Sequence, residues 1–224
     1  MAGIHYYIID TETTGLKSAH HEMTEIGIIR CTDRVQLHKK IRCEFPERAS
    51  FDALKITGKT MADIVQGDAK EEAVAASNRF FEEDGQSPAA RCIIAHNDSF
   101  DRRFLHALWE SCGLEFPAHL WLDTIGMTKS FIKKSDESQL QIVRTATGKV
   151  STQLHACCDM LKVKKLSAAH NAKVDSRNTY LLWMKLQEEG VDHLPLIKTV
   201  PHDFKKNDSE SDDMFTFEDM EPST

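Results

Sequence analysis

Residues 4–16 read IHYYIIDTETTGL, and this stretch decides the first element of the fold. The apolar run from Ile4 to Ile9 predicts a buried β-strand, and it ends directly at Asp10. Glu12 follows two residues later. The stretch therefore predicts a buried strand that is followed directly by two acids.

The segments that follow this strand have the order typical of an α/β domain. Alternating and β-branched residues predict strands over 25–31 and 35–45. The short apolar runs 91–96 and 119–124 predict two more strands, the first at the centre of the sheet. Helical spacing of apolar residues, with start and stop signals, predicts helices over 68–84, 97–113, 151–163 and 171–190. We therefore expect a mixed five-stranded sheet flanked by helices.

Two further acids stand where a predicted strand ends or a predicted helix begins. Asp101 follows the central strand, and Asp175 falls in the first turn of the last helix. Carboxylates gathered at one end of a sheet repel one another, and desolvation disfavours their charges further. Several of them can be ionised together around divalent cations, and hard oxygen ligands suit Mg²⁺ or Mn²⁺. Together with Asp10 and Glu12, these acids predict a metal site.

The charge of the chain is concentrated at its C-terminal end. Of the net charge of −7, residues 203–224 carry −6, so residues 1–202 are nearly neutral and compatible with a polyanionic partner. Hydrophobic residues make up 41% of the 224, which favours a packed domain over 1–202. The acidic, aliphatic-poor segment 203–224 is expected to be a disordered tail.

Cysteine usage and hydropathy indicate the compartment. The six cysteines are scattered and form no C-x-x-C pair, which favours reduced, mostly buried thiols. No run of eighteen apolar residues occurs, and the first residues lack a basic region before a long apolar segment. We therefore expect a cytoplasmic protein that does not contact a membrane.

Three motifs in this order resemble those of the DEDDh class of 3′→5′ exonucleases, which have the RNase H-like fold. The motifs are DTETTGL at 10–16, HNDSFDRRFL at 96–105 and HNAKVD at 170–175, and LWLDT at 120–124 falls where the family has a strand ending in Asp-Thr. The likeness covers residues 4 to about 190 and is closest to the proofreading epsilon subunits of bacterial DNA polymerase III. It implies the RNase H-like fold for the domain predicted above.

The resemblance implies a two-metal site and a histidine base. The implied ligands of two Mg²⁺ or Mn²⁺ ions are Asp10, Glu12, Asp101 and Asp175. On one continuous helix, the five-residue offset from His170 to Asp175 would rotate the side chain by about 140°. The resemblance instead puts His170 on a loop before the helix, as the general base, and leaves Asp175 on the helix.

The resemblance also assigns substrate contacts. Thr13, Thr14 and Leu16 are implied to meet the terminal nucleotide, Leu16 as a wedge against the last bases, although core packing is the alternative for Leu16. Asn97 either orients the site or caps its helix. Lys59 stands where many relatives carry isoleucine, in a loop that the resemblance puts near the terminal base.

The implied activity is metal-dependent removal of nucleoside 5′-monophosphates from single-stranded 3′ ends, with DNA favoured, in proofreading, repair or turnover. An RNA-trimming exonuclease of the same family is one alternative. The other is a polymerase-associated subunit whose acidic tail, with Phe215 and Phe217 among acids, recruits a DNA polymerase or another protein.

Overall fold

A computed structural model describes residues 3–166 and 170–200, and the predicted tail 203–224 lies outside these ranges. The strands are β1 (His5–Thr13), β2 (Met23–Arg30), β3 (Gln36–Lys40), β4 (Arg91–Ala95), β5 (Leu120–Asp123) and β6 (Lys198–Thr199). The helices are α1 (Phe51–Thr57), α2 (Met61–Ile64), α3 (Lys70–Glu82), α4 (Asp98–Ser111), α5 (Thr124–Lys134), α6 (Leu154–Met160) and α7 (Ala172–Glu188). Four single turns of 3₁₀ helix occur at Pro46–Arg48, Pro88–Ala90, Glu137–Gln139 and Leu194–Leu196.

The strands form one mixed sheet in the order β3-β2-β1-β4-β5-β6. β1, β2 and β3 form an antiparallel meander, β4 and β5 add in parallel, and β6 pairs antiparallel with β5. Among the described residues the sheet therefore has six strands, and the prediction of five was wrong by one. The additional strand is two residues long, too short for any alternation of side chains to be visible in the sequence.

Two apolar cores cover the two faces of the sheet. Odd-numbered residues of β1, including Tyr7 and Ile9, pack with buried residues of α3 and α4 such as Phe81 and Trp109. Ile8, which points to the opposite face, packs with buried residues of α5, α6 and α7. The period-two alternation of β1 thus sends its neighbours into different layers. Asp10 and Glu12 continue the even-numbered series, which faces α7.

The first strand is longer than its apolar run. The ladder with β2 continues past Ile9, pairing Asp10 with Gly27 and Glu12 with Glu25, so both acids lie within β1 rather than after it. No helix in the described ranges is long and apolar enough to cross a membrane.

Candidate active site

Three carboxylates converge at the end of β1. Asp10 and Glu12 project from the same side of the strand, and Asp175 approaches them from the first turn of α7. One ligand atom from each residue lies within 4.8 Å of the other two. Glu12 and Asp175 are buried, and Asp10 is half-buried. This spacing allows all three side chains to bind one metal ion, or two metal ions that lie next to each other.

Gly27 allows α7 to come close enough to deliver Asp175. It lies opposite Asp10 on β2, and a Cβ atom built on it would overlap the carbonyl of Ala172 at the start of α7. The side-chain hydroxyl of Ser176 would lie only 3.0 Å from the same Cβ. The first turn of α7 therefore rests directly on the backbone of β2. This is the close approach for which a glycine is needed in a strand.

The carboxylate of Asp175 is held by its own helix. The backbone N–H of Asn171 donates to its Oδ2 at 3.2 Å, and the amide of the buried Asn178 donates to its Oδ1 at 3.4 Å. The Asn171 side chain in turn accepts from the backbone N–H of Val174, which makes Asn171 the N-terminal cap of this helix. His155 on α6 approaches from the side, with Nε2 3.7 Å from Asp175 Oδ1.

Asp101 reaches the same end of the sheet from the other layer. It is buried in the first turns of α4, and its Oδ1 accepts a hydrogen bond of 2.8 Å from the hydroxyl of Thr11. Thr11 lies between Asp10 and Glu12 and points to the opposite face of β1. Asp101 is therefore not part of the group of three, but it is close enough for its charge to raise the pKa of Asp10.

The electrostatics of these acids match a site for divalent cations. Burial, and then the charge of Asp175, raise the pKa of Asp10 well above its ordinary value. Burial raises the pKa of Glu12 to about 8, against the opposing charge of Lys59, and burial raises that of Asp101 to about 7. Buried carboxylates that repel one another become favourable when a cation neutralises them, and oxygen donors suit Mg²⁺ or Mn²⁺. The side chains present therefore fit a divalent-metal centre.

His170 lies outside α7, as the offset to Asp175 requires. The helix begins at Ala172, and His170 precedes the Asn171 cap with a left-handed backbone, φ +58°. Such a conformation is uncommon for a residue other than glycine and is often found at functional sites. Burial lowers its pKa, against the opposing charge of Asp175. The imidazole is therefore neutral and able to accept a proton near neutral pH.

The residues after Glu12 form a tight turn beside the site. The hydroxyl of Thr13 donates to the carbonyl of Gly15 at 2.7 Å, and the hydroxyl of Thr14 accepts from the backbone N–H of Glu22 at 2.9 Å. Both threonines are buried. Leu16 is half-buried and packs against the core on the α4 face, so part of its surface has the core-packing role.

Asn97 occupies the cap position of α4 without capping by its side chain. Its backbone is left-handed, with φ +74°, and its Oδ1 accepts from the hydroxyl of Ser99 at 2.9 Å. Its backbone N–H donates to Asp123 Oδ1 at 3.0 Å. Asn97 thus joins the end of β5 to the start of α4.

Sequence reasoning missed the contribution of His155. In the sequence, His155 stands in the run HACC at 155–158, whose consecutive spacing cannot converge on one zinc ion and gives no other sign of a site. The structure shows instead that one of these residues, His155, turns toward Asp175. The pairing joins α6 and α7 across a loop, so no periodic signal in the sequence marks it.

Comparison with known proteins assigns the family. The model of the RNase_T exonuclease family matches residues 7–183, which include the three converging acids, Asp101 and His170. The chain belongs to this exonuclease family. It falls among the DEDD exonucleases, which have the RNase H-like fold.

Relatives of this exonuclease include bacterial replication proteins. DNA polymerase III PolC-type of Mycoplasmopsis pulmonis is 27% identical over 192 residues, covering 83% of the exonuclease and 12% of the polymerase. DNA polymerase III subunit epsilon of Treponema pallidum is 30% identical over 122 residues, covering 54% of each chain. The exonuclease therefore spans about an eighth of the first relative and about half of the second.

Solved structures share the fold of the exonuclease at low identity. Exonuclease I of E. coli in complex with a dT13 oligonucleotide has a TM-score of 0.66 and 16% identity, covering 86% of this chain and 42% of that one. Cell-death related nuclease 4 (CRN-4) has a TM-score of 0.65 and 12% identity, covering 84% and 65%. These likenesses establish the architecture of the domain.

Proposed function

We propose that this chain is a divalent-metal-dependent 3′→5′ exonuclease that removes nucleoside 5′-monophosphates from single-stranded ends, with DNA favoured over RNA. The observation that carries the proposal is the convergence of Asp10, Glu12 and Asp175 within 4.8 Å. The structure of exonuclease I with a dT13 oligonucleotide supports a single-stranded DNA substrate. The similarity to an epsilon subunit supports a polymerase-associated proofreading role in particular.

In this proposal, Asp10, Glu12 and Asp175 would hold two Mg²⁺ or Mn²⁺ ions, with Asp101 contributing from the other face of β1. Such ions would supply Lewis-acid stabilisation of the charge that develops on the phosphodiester. Thr13, Thr14 and the exposed part of Leu16 hold the terminal nucleotide. Asn97 orients the start of α4, and with it Asp101.

His170 is the general base of the proposed reaction. It takes a proton from the attacking water, and the depressed pKa keeps its ring neutral for this purpose near pH 7. The bond that breaks joins the phosphorus to the 3′ oxygen of the preceding nucleotide. The products are a nucleoside 5′-monophosphate and a strand with a new 3′-hydroxyl.

The direction and the sugar preference are tested with one gel assay. Single-stranded DNA and RNA of matched sequence, each labelled at the 5′ end, are incubated with the protein and Mg²⁺ or Mn²⁺. We expect a ladder of labelled strands that shortens one nucleotide at a time, faster for DNA, and no ladder with chelator. Immediate release of a labelled mononucleotide, a few internal cuts, or no cleavage would each contradict the proposal, and a faster RNA ladder would overturn the preference for DNA.

The assignment of the base is tested by His170→Ala. Loss of a general base costs about 10²–10⁴-fold in rate. We expect this loss in the turnover number with little change in the binding of a single-stranded oligonucleotide, because His170 is not a proposed contact of the strand. His193→Ala is the control, since His193 contacts Tyr6 at the other end of β1 from Glu12. A His170→Ala protein with the parent rate would show that another group takes the proton.

A further inference from the structure

Two buried glutamates face each other across β1 and β2. Glu12 and Glu25 are direct partners in the antiparallel ladder, so their side chains project to the same face. Both residues are at most 5% exposed. Like charges directly opposite one another in a sheet are destabilising, and burial increases the repulsion. Since Glu12 belongs to the group of three carboxylates, the charge of Glu25 acts on the metal centre.

Lys59 neutralises Glu25 from the side. Its Nζ lies 3.0 Å from Glu25 Oε1, and the Lys59 side chain is only 13% exposed. The second oxygen of Glu25 lies 3.0 Å from Nε2 of His38 on β3. These partners outweigh the effect of burial and lower the pKa of Glu25. Glu25 is therefore ionised and paired.

Lys59 also reaches the backbone of Glu12. Its Nζ donates to the hydroxyl of Thr24 at 3.2 Å, and that hydroxyl donates to the carbonyl of Glu12 at 3.3 Å. The chain of two hydrogen bonds joins the loop after α1 to the strand that carries the metal ligand. The ammonium group of Lys59 thus pairs with the charge of Glu25 next to Glu12 and is also linked, through the Thr24 hydroxyl, to the carbonyl of Glu12.

The local sequence fixes Lys59 in place. Gly58 ends α1 with a left-handed backbone, φ +63°, which turns the chain back toward the sheet. The backbone N–H of Lys59 then donates to the carbonyl of Leu54 at 3.0 Å. Thr60 directly after it caps α2. Lys59 is therefore held between two helix ends rather than on a free loop.

We propose that Lys59 is a positioning residue of the metal centre, which cancels the charge of Glu25 so that Glu12 is directed to the cation. The proposal rests on the metal site of the proposed function. Without Lys59, Glu25 repels the Glu12 carboxylate away from Asp10 and Asp175. Without Glu25, the ammonium group of Lys59 turns to Glu12 and competes with the cation. When both Lys59 and Glu25 are replaced, Glu12 is neither repelled by Glu25 nor paired with Lys59.

The test is the affinity for Mn²⁺, measured by titration calorimetry without nucleic acid on the full chain. Lys59→Met and Glu25→Gln are each expected to weaken Mn²⁺ binding about tenfold. This is the smaller of the effects seen when a residue that supports a metal ligand is replaced. The double variant is expected to bind within about threefold of the parent. Lys59→Arg is the matched control and should also stay within about threefold, because a cavity of about 210 Å³ beside Lys59 accommodates the larger head group.

Recovery in the double variant separates positioning from a structural role, because a variant that only damages packing does not regain metal affinity when a second residue is changed. Thermal melting of each protein verifies that it is folded. Single variants that bind Mn²⁺ like the parent, or a double variant no better than the weaker single one, would overturn the proposal, as would a parent protein that binds no Mn²⁺. A parent that binds Mn²⁺ but degrades no strand would instead refute the proposed function and leave the role of Lys59 standing.

Discussion

Asp10→Asn is expected to remove activity while making the metal-free protein more stable at pH 8. Asp10 is one of the three converging carboxylates, and it faces the charges of Asp175, Asp101 and Glu12. Removing one member of a catalytic unit lowers turnover by at least about 10³-fold. The same change removes repulsion that a cation would otherwise neutralise. For a domain of this size, each kcal/mol relieved raises Tm by about 2–4 °C.

The gain in stability depends on pH with a definite sign. The pKa values of Asp10, Glu12 and Asp101 are raised in the folded protein, to about 8 for Glu12 and about 7 for Asp101. An acid whose pKa is higher in the folded than in the unfolded protein lowers the free energy of unfolding as pH rises between the two pKa values, because the folded state resists its ionisation. Unfolded carboxyls titrate near pH 4, so the cost in the parent grows from about pH 4 to about pH 8. Parent and variant should therefore melt alike at pH 4 and diverge by pH 8.

Differential scanning calorimetry at both pH values, with and without Mn²⁺, measures this effect. Mn²⁺ should raise the Tm of the parent and not that of Asp10→Asn, because a ligand stabilises only the state that binds it. Asp52→Asn is the control, since Asp52 is an exposed acid in the first turn of α1. A difference in Tm that is the same at pH 4 and pH 8 would contradict the electrostatic explanation.

Gly27→Val is expected to separate α7 from the site. The new side chain would overlap the carbonyl of Ala172 and crowd the hydroxyl of Ser176, so the first turn of α7 must move outward. Such overpacking costs about 1–3 kcal/mol of stability. Asp175 moves with the turn. We expect the activity to fall by about 10²-fold or more, because a displacement of a catalytic group by about 1 Å can cost that much in rate.

The comparison with Gly126 isolates the steric cause. Gly126 lies in α5, and a Cβ added there meets nothing within 4 Å. Gly126→Ala should keep full activity and gain some stability, about 1 kcal/mol, from its higher helix propensity. Rates are measured on single-stranded DNA, and circular dichroism verifies the fold. Parent activity in Gly27→Val would show that Asp175 does not need the close contact between α7 and β2.

Much of the architecture follows from short-range patterns in the sequence. The apolar runs of β1, β4 and β5 and the caps of α7 are local signals, and the structure has these elements near the predicted positions. The length of β1 is not visible in this way, because the ladder with β2 continues through polar residues. β6 is defined only by its pairing with β5, so the sequence does not reveal it.

The sequence predicted acids gathered at one end of the sheet, and three of them converge there, but their surroundings were not predictable. Asp10 and Glu12 lie on one face because of strand geometry alone, and Asp175 joins them through the order of the elements. The separate approach of Asp101 depends on which helix layer covers which face of the sheet. The contacts of Lys59 and His155 join residues far apart in the sequence, and only the folded chain brings them to the acids.

The contact between Gly27 and Ala172 has a consequence for how the domain diverges. At this point the distance between α7 and the sheet is set by backbone atoms of Gly27 and Ala172. Backbone atoms do not change when side chains are substituted. Apolar side chains further along α7, such as Leu182 and Leu186, can then be exchanged and repacked while the first turn remains anchored. The arrangement protects the geometry of Asp175 from gradual change in the core, provided that position 27 remains a glycine.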